Sequence, residues 1–270
     1  MYDFQKANMW KRISAALFDF ILICIVVVGF AFLLSTVLGF DGYNQQFEEL
    51  HTSYKKQYGI VTQEDYNNLS AEERANYFIE EDYAILNEEK RANYDAANDA
   101  AYDALTKDSE ANYLYSMIMN LTFIIVIFSI LLGYVLLEFV IPLIFKNGQT
   151  VGKKIFGIAV MREDGVKISP IVLFVRTVLG KYTVETMLPI LLIASIFLGL
   201  MGIVGIIVIA VMLIAQIVLL IVTKARTPLH DVLAHTVAVD AASQMIFDST
   251  DDMIAYKKRI HAENVEAEKN

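Results

Sequence analysis

From Ile13 to Leu38 the chain runs apolar, interrupted only by Ser14, Asp19, Ser35 and Thr36. About 20 such residues in a helix cover the hydrocarbon core of a bilayer, so the run predicts a membrane-spanning helix. Residues 116–145 and 183–223 have the same character. The last stretch is roughly 40 residues, about 60 Å of helix and about twice the hydrocarbon thickness. It has to fold back, and Gly199, Gly202 and Gly205 mark the turn. The expectation is an all-α membrane protein with four transmembrane helices. With 56% hydrophobic residues and a mean hydropathy of +0.47, a soluble reading would need three all-apolar helices buried on every side in one small chain.

Lysines and arginines near span ends set orientation. Lys6, Lys11 and Arg12 precede the first span, seven bases from Lys146 to Lys181 fill the connection after the second, and Lys224, Arg226 and Lys257-Lys258-Arg259 follow the fourth. All three groups fall on one side only if the span number is even. Both termini are therefore expected in the cytoplasm of a bacterial cell, with a multi-pass protein in its cell membrane. The expected segments are 1–40 (N-terminus and first span), 41–115 (an outer insertion), 116–145 (second span), 146–182 (a basic cytoplasmic connection), 183–223 (third and fourth spans) and 224–270 (a cytoplasmic tail with a His-Asp motif). The first run is longer than a signal-peptide core and lacks a small-x-small cleavage site, so it reads as a retained anchor. The single cysteine, Cys24, lies in the first span, which leaves the insertion without disulfides. The four histidines are scattered, so no metal site or cofactor is expected.

Residues 41–115 hold seventeen acids, six bases and ten of the tyrosines. From Ser70 to Leu105 there is no proline or glycine and much alanine and glutamate, which favours helix. Ser70 with Glu73, and Thr62 with Asp65, have capping-box spacing. A helical, extracytoplasmic hairpin is expected, with Tyr77, Phe78, Tyr83, Leu86, Tyr94 and Leu105 packing against Phe47, Leu50 and Tyr54. So many acids can draw cations to an entrance, but a solvated helix surface is the preferred account.

After the second span, Gly148-Gln-Thr-Val-Gly-Lys153 has one residue too few between its glycines for a phosphate loop, and Lys154 stands where Ser or Thr belongs. Ile158–Met161 and Val166–Ile168 around Asp164-Gly165 read as a small hairpin. Ser169-Pro170 starts a helix, carrying Arg176 and Lys181, that is expected along the inner membrane surface. Lys181 and Glu185, four apart, read as a local helix pair.

Three motifs carry a family resemblance: Arg12-x-x-Ala15-x-x-x-Asp19, Gly148-Gln-Thr-x-Gly-Lys153 and Thr227-x-Leu-His-Asp231. Together they resemble the RDD family of bacterial polytopic membrane proteins, named for an arginine and two aspartates that map to Arg12, Asp19 and Asp231. The resemblance covers residues 8–40 and 116–240 and implies a small membrane protein connected with transport. The chain departs from the pattern in its long insertion and in His235, which stands where a glycine is usual before Thr236.

An acid inside a span is kept only if it is paired, hydrated or used. Arg12 and Asp19 are seven residues apart, about two turns and about 10 Å, on one helix face. Asp19 is either a hydrogen-bonded packing residue beside Ala15 and Ala16, or a carboxylate that takes up a cation or proton at membrane depth. Arg12 and Asp231 read as an interfacial ion pair. His230, Arg226 and Gln216 complete the candidate site, Gln216 as a neutral ligand or a packing residue. Two functions follow: small-cation or proton-coupled exchange around Asp19, or a non-transporting scaffold, assembly factor or sensor whose outer segment binds a protein. The expected partners are the lipid bilayer, cations or protons, and a second copy or a protein partner; nucleic acid is not among them. No catalytic constellation is evident, and the chain is not expected to be an enzyme.

Overall fold

Among the described residues, four helices are long and apolar enough to cross a membrane: Met9–Leu38, Ser109–Phe145, Pro170–Phe197 and Gly202–Val222, called spans one to four. The computed structural model of the protein describes residues 5–223 and 227–267. Contacts divide the chain into two units, one built from the chain up to Phe30 and from Ile127 onward, the other from Ala31 to Val126. The charged residues of the motifs all belong to the first.

In that unit, spans one and two approach where Gly133 leaves room, since a Cβ there would meet the Val27 side chain at 2.7 Å. Span two widens into a π-helical turn at Val135–Val140, and span three is π-helical over Val175–Met187. Such i→i+5 segments occur mostly as single turns and gather at functional sites. Ser169 caps the start of span three by accepting from the Val172 amide at 3.3 Å, with Pro170 in the first turn. The helix then runs unbroken to Phe197. Arg176 and Lys181 therefore lie within span three, and no separate surface helix precedes it. Their charges dilute the apolar pattern, which is why the sequence places the span later. Spans three and four pack together through the expected turn, with Gly199 at φ 72° and Gly202 at φ 48°. Gly205 lies inside span four, where a Cβ would meet Ile196 at 2.7 Å.

The connections after spans two and four pair with each other. Strand β3, Ile158–Arg162, lies antiparallel to β4, Thr236–Asp240, in the register Val160↔Ala238; the first two strands, β1 (Ile60–Val61) and β2 (Phe78–Ile79), lie in the other unit. Ile158 to Met161 are at most 1% exposed. The expected hairpin is present in short form, as the bridge Met161↔Lys167 and a hydrogen bond from the Arg162 amide to the Val166 carbonyl at 2.9 Å around the Gly165 turn. Four consecutive apolar residues suit a strand covered on both faces, and the tail segment Val237–Val239, apolar and buried throughout, supplies the longer partner. The N-terminal segment joins this sheet through Lys6↔Val239, and the helix Thr250–Ala267 follows, with Met253 against Val166 and Phe247.

In the second unit the helix Phe40–Gln57 packs against Glu88–Lys107. Both capping pairs form: Ser70 and Glu73 exchange bonds, and Thr62 accepts from the Asp65 amide at 3.2 Å. The long helix begins at Asn87, which caps Lys90, rather than at Ser70. Upstream, Phe78–Ile79 forms β2 and pairs in parallel with β1, Ile60–Val61. The apolar, partly β-branched pairs at 60–61 and 78–79 find partners there, and this tertiary pairing overrides local helix propensity. Tyr94 is buried among Phe78 and Tyr83, as the apolar stripe predicts.

Candidate functional site

Asp19, 7% exposed, meets its partners across more than a hundred residues of sequence. Its carboxylate accepts the Thr150 hydroxyl, and its Oδ1 accepts the Gly152 amide at 2.7 Å. Thr150 is the N-cap of the short helix Val151–Ile155. The first amides of a helix have no partner within it and favour an anion. In this protein the anion comes from span one, so the segment that only superficially resembles a phosphate loop holds an internal carboxylate. The other motif residues serve that docking. A Cβ on Gly152 would run into the Ala15 carbonyl oxygen and lie 2.9 Å from the Asp19 carboxylate. Gly148 has φ 59°, and the Gln149 amide donates to the Ile158 carbonyl at 2.8 Å.

A second centre joins span three to the turn after span four. Arg176 donates through Nε to Asp231 Oδ1 at 2.6 Å, and its Nη2 lies 3.1 Å from His230 Nε2. A guanidinium only donates, so His230 accepts at Nε2 and carries its proton on Nδ1, which donates to Glu185 Oε2 at 2.8 Å. The Glu185 Oε1 accepts from the His230 amide at 2.9 Å and from Gln216 at 2.8 Å. Thr236 donates to Asp231 at 2.8 Å. Gly180 allows this approach, since a Cβ there would lie 2.7 Å from His230 Cβ. Burial alone would raise the Asp231 pKa, but the Arg176 guanidinium, helped by His230 and Thr236, holds it well below the usual carboxylate range. Burial also pushes His230 below its ordinary value, against the pull of Asp231 and with Arg176 adding to the depression.

Glu138, on the π-turn of span two, is 2% exposed. Its Oε1 accepts from Lys181 Nζ at 2.5 Å, and its main-chain oxygen accepts the Thr177 hydroxyl at 2.9 Å. Lys153 Nζ stands 3.9 Å from Oε2. Burial lowers the Lys153 pKa to about 8, with Glu138 opposing and Lys181 and Arg176 adding to the fall.

A cavity of about 360 Å³ brings these centres together. Its walls carry the carboxylates of Asp19, Glu138, Glu185 and Asp231 and the bases Arg12, Lys153, Arg176 and Lys181, with His230 and Tyr134 between them. Arg12, Asp19, His230 and Asp231 all line it, as the motifs suggest. Gln216 reaches it through Glu185, and Arg226 lies outside the described residues. The pairing differs from the expected one: Asp231 is held by Arg176, the residue that reaches it from inside span three. Lys181 likewise pairs with Glu138 and leaves Glu185 to His230. Glu138 is detectable in sequence as a lone charge in the apolar run 116–145. Arg176, Lys181 and Glu185 recur at four- or five-residue spacing in a helix whose start is clear. Nothing in sequence marks Thr150 as a partner of Asp19.

Fold and site define an integral, all-α membrane protein of four spans, with a charge network buried around one cavity. The chain belongs to the RDD family, whose model matches residues 6–235. No curated protein and no solved structure matches it.

Proposed function

We propose that the protein is a transporter of the bacterial cell membrane that exchanges a small cation for protons at the charged cavity around Asp19. Both termini and the connection 146–182 face the cytoplasm in this reading. The observation that carries it is the cavity itself: four carboxylates and four bases face one space, three of the acids and all four bases within membrane-spanning segments or on the motif that docks to them. Charges at membrane depth are costly and mark ion pathways or proton relays. A network with equal numbers of acids and bases can take up a cation when it releases a proton, without a net change of charge.

The test is reconstitution into vesicles carrying a pH-sensitive dye. A sodium or potassium pulse, against choline, drives proton flux through the wild type. Asp19→Asn keeps acceptors and donors for Thr150 and Gly152 but removes the charge; it inserts normally and loses most of the flux, whereas Asp19→Glu retains part. Full flux in a folded Asp19→Asn protein rules Asp19 out of the exchange.

A second reading, a scaffold or sensor that binds a protein partner or a second copy, draws on Ile85 and Tyr102, 79% and 61% exposed in the segment 41–115. No ion-driven flux from well-folded protein would favour it.

A further inference from the structure

Ser129, on span two, is fully buried, and its hydroxyl has no hydrogen-bond partner among the described residues. A serine or threonine inside a helix can turn its hydroxyl back to the carbonyl four residues earlier. Thr122 on the same helix does so at 2.8 Å, and Ser195 on span three at 2.7 Å. Ser129 leaves that bond unmade. A buried hydroxyl left bare is costly in a finished core. It is useful where a polar visitor passes, and its place in the bundle names the visitor. Along the spans, the charged cavity extends as far as Ile23, Tyr134 and Glu185. Two contacts close it there. The Tyr134 and Thr186 hydroxyls are bonded at 2.8 Å, which joins spans two and three. Gly133 meets span one so closely that a Cβ would lie 2.7 Å from the Val27 side chain. Ser129 is one turn beyond Gly133 on the same helix face, about 8 Å past Tyr134 along the axis.

We propose that Ser129 is the next station of the exchanged ion beyond the cavity, and that the contact of Gly133 with Val27 is the constriction between the two. A hydroxyl both accepts and donates. It can give an oxygen to a small cation that has shed part of its water, and it can bond a water that carries a proton. The hydroxyls nearest to it in sequence and fold are engaged: Tyr134 with Thr186, and Tyr182 with the Ile127 carbonyl at 3.2 Å. The constriction suits a gate. Its near atom on span one is a side-chain methyl carbon, with the Val27 amide further off at 3.9 Å. The contact is apolar, so a small parting of the two spans opens the seam without breaking a hydrogen bond. This assignment rests on the cation–proton exchange reading above and adds a residue outside the three motifs that carry the family pattern.

The test uses full-length protein in vesicles carrying a pH dye. Ser129→Cys is made together with Cys24→Ala, since Cys24, exposed on span one, is the only native thiol. A thiol reacts as its thiolate, a form that buried apolar surroundings suppress. A methanethiosulfonate with a fixed positive charge is added in sodium, potassium or choline chloride. The Ser129→Cys thiol reacts, sodium or potassium slows the reaction, and completed reaction stops cation-driven proton flux. Cys24 of the wild type, on the outer surface of its span, stays unreactive. Ser129→Ala lowers the flux about tenfold, the effect of one hydrogen bond on a barrier. Its melting temperature equals or exceeds that of the wild type, because the bare hydroxyl is gone. A serine with a structural role alone would show the reverse, a lower melting temperature and unchanged flux per folded chain. Wild-type flux in Ser129→Ala, or a Ser129→Cys thiol no more reactive than Cys24 in vesicles that carry flux, overturns the assignment and leaves exchange intact. If the wild type carries no cation-driven proton flux, the exchange reading fails and this assignment fails with it. Should Ser129→Ala not fold, the reactivity of Ser129→Cys decides the matter.

Discussion

Asp231 and His230 tie the stability of the cavity to pH in the same direction. Each has a folded pKa below its unfolded value, so each adds stability that is complete above the unfolded pKa and is lost as pH falls towards the folded one. For His230 the loss begins below about pH 6.5, and for Asp231 below about pH 4. Thermal melting in detergent should therefore fall in two acid steps. His230→Asn should remove the first, and Asp231→Asn should lower the melting point at pH 7, costing about 3 kcal/mol because Arg176 is left buried without its counter-charge. His235 makes a second prediction. It sits at φ 49°, a left-handed backbone that costs an L-residue about 1–2 kcal/mol. Its contact with Glu163, at 3.7 Å, is exposed and worth little. His235→Gly should add about 0.5–1 kcal/mol of stability once glycine's greater freedom in the unfolded chain is counted, read as a higher melting temperature. That position was legible in sequence, as a histidine where the family pattern has glycine. The pairing of Asp231 was not, since two arginines of the same charge compete and only the course of span three selects Arg176.

At the scale of elements, the segment Gly148–Lys153 acts as a clasp on span one. Gly152→Ala should open it. The new methyl would press on the Ala15 carbonyl, a backbone atom that cannot swing aside, and on the Asp19 carboxylate. A cost of roughly 1–3 kcal/mol is expected, with faster proteolysis at residues 146–157 as the readout; unchanged digestion would mean that the clasp is not needed to hold the loop. Elements marked by local chemistry were legible: the Gly199–Gly202 turn, the Ser169-Pro170 start, and the Thr62 and Ser70 caps. Elements decided by distant partners were not. β3 chose the tail strand β4 over its neighbour, and Phe78–Ile79 left the predicted helix for Ile60–Val61. The π-helical segments, which carry Glu138, Arg176, Lys181 and Glu185, have no signature in hydrophobic periodicity.

For the whole molecule, four spans were legible because their apolar length is a direct consequence of bilayer thickness. The even number and the basic loops predict sidedness. Reporters fused after Gly165 and after Val239 should both read as cytoplasmic, and one after Ala104 as external. A cytoplasmic signal at Ala104 would overturn the orientation, though not the span count. The long reach of Asp19 also bears on how the chain is made. Its partner Thr150 lies 131 residues further on. At a synthesis rate of about 5–20 residues per second, that separation is on the order of ten seconds. During that interval, a newborn first span presents an unclaimed carboxylate to lipid or to the insertion machinery. The sheet that seals the same end closes only after Asp240 has emerged. Assembly is therefore completed by its last steps, and a ribosome that stops short of the tail leaves an inserted chain in which Arg176 and Glu185 lack Asp231 and His230, a ready mark for membrane quality control.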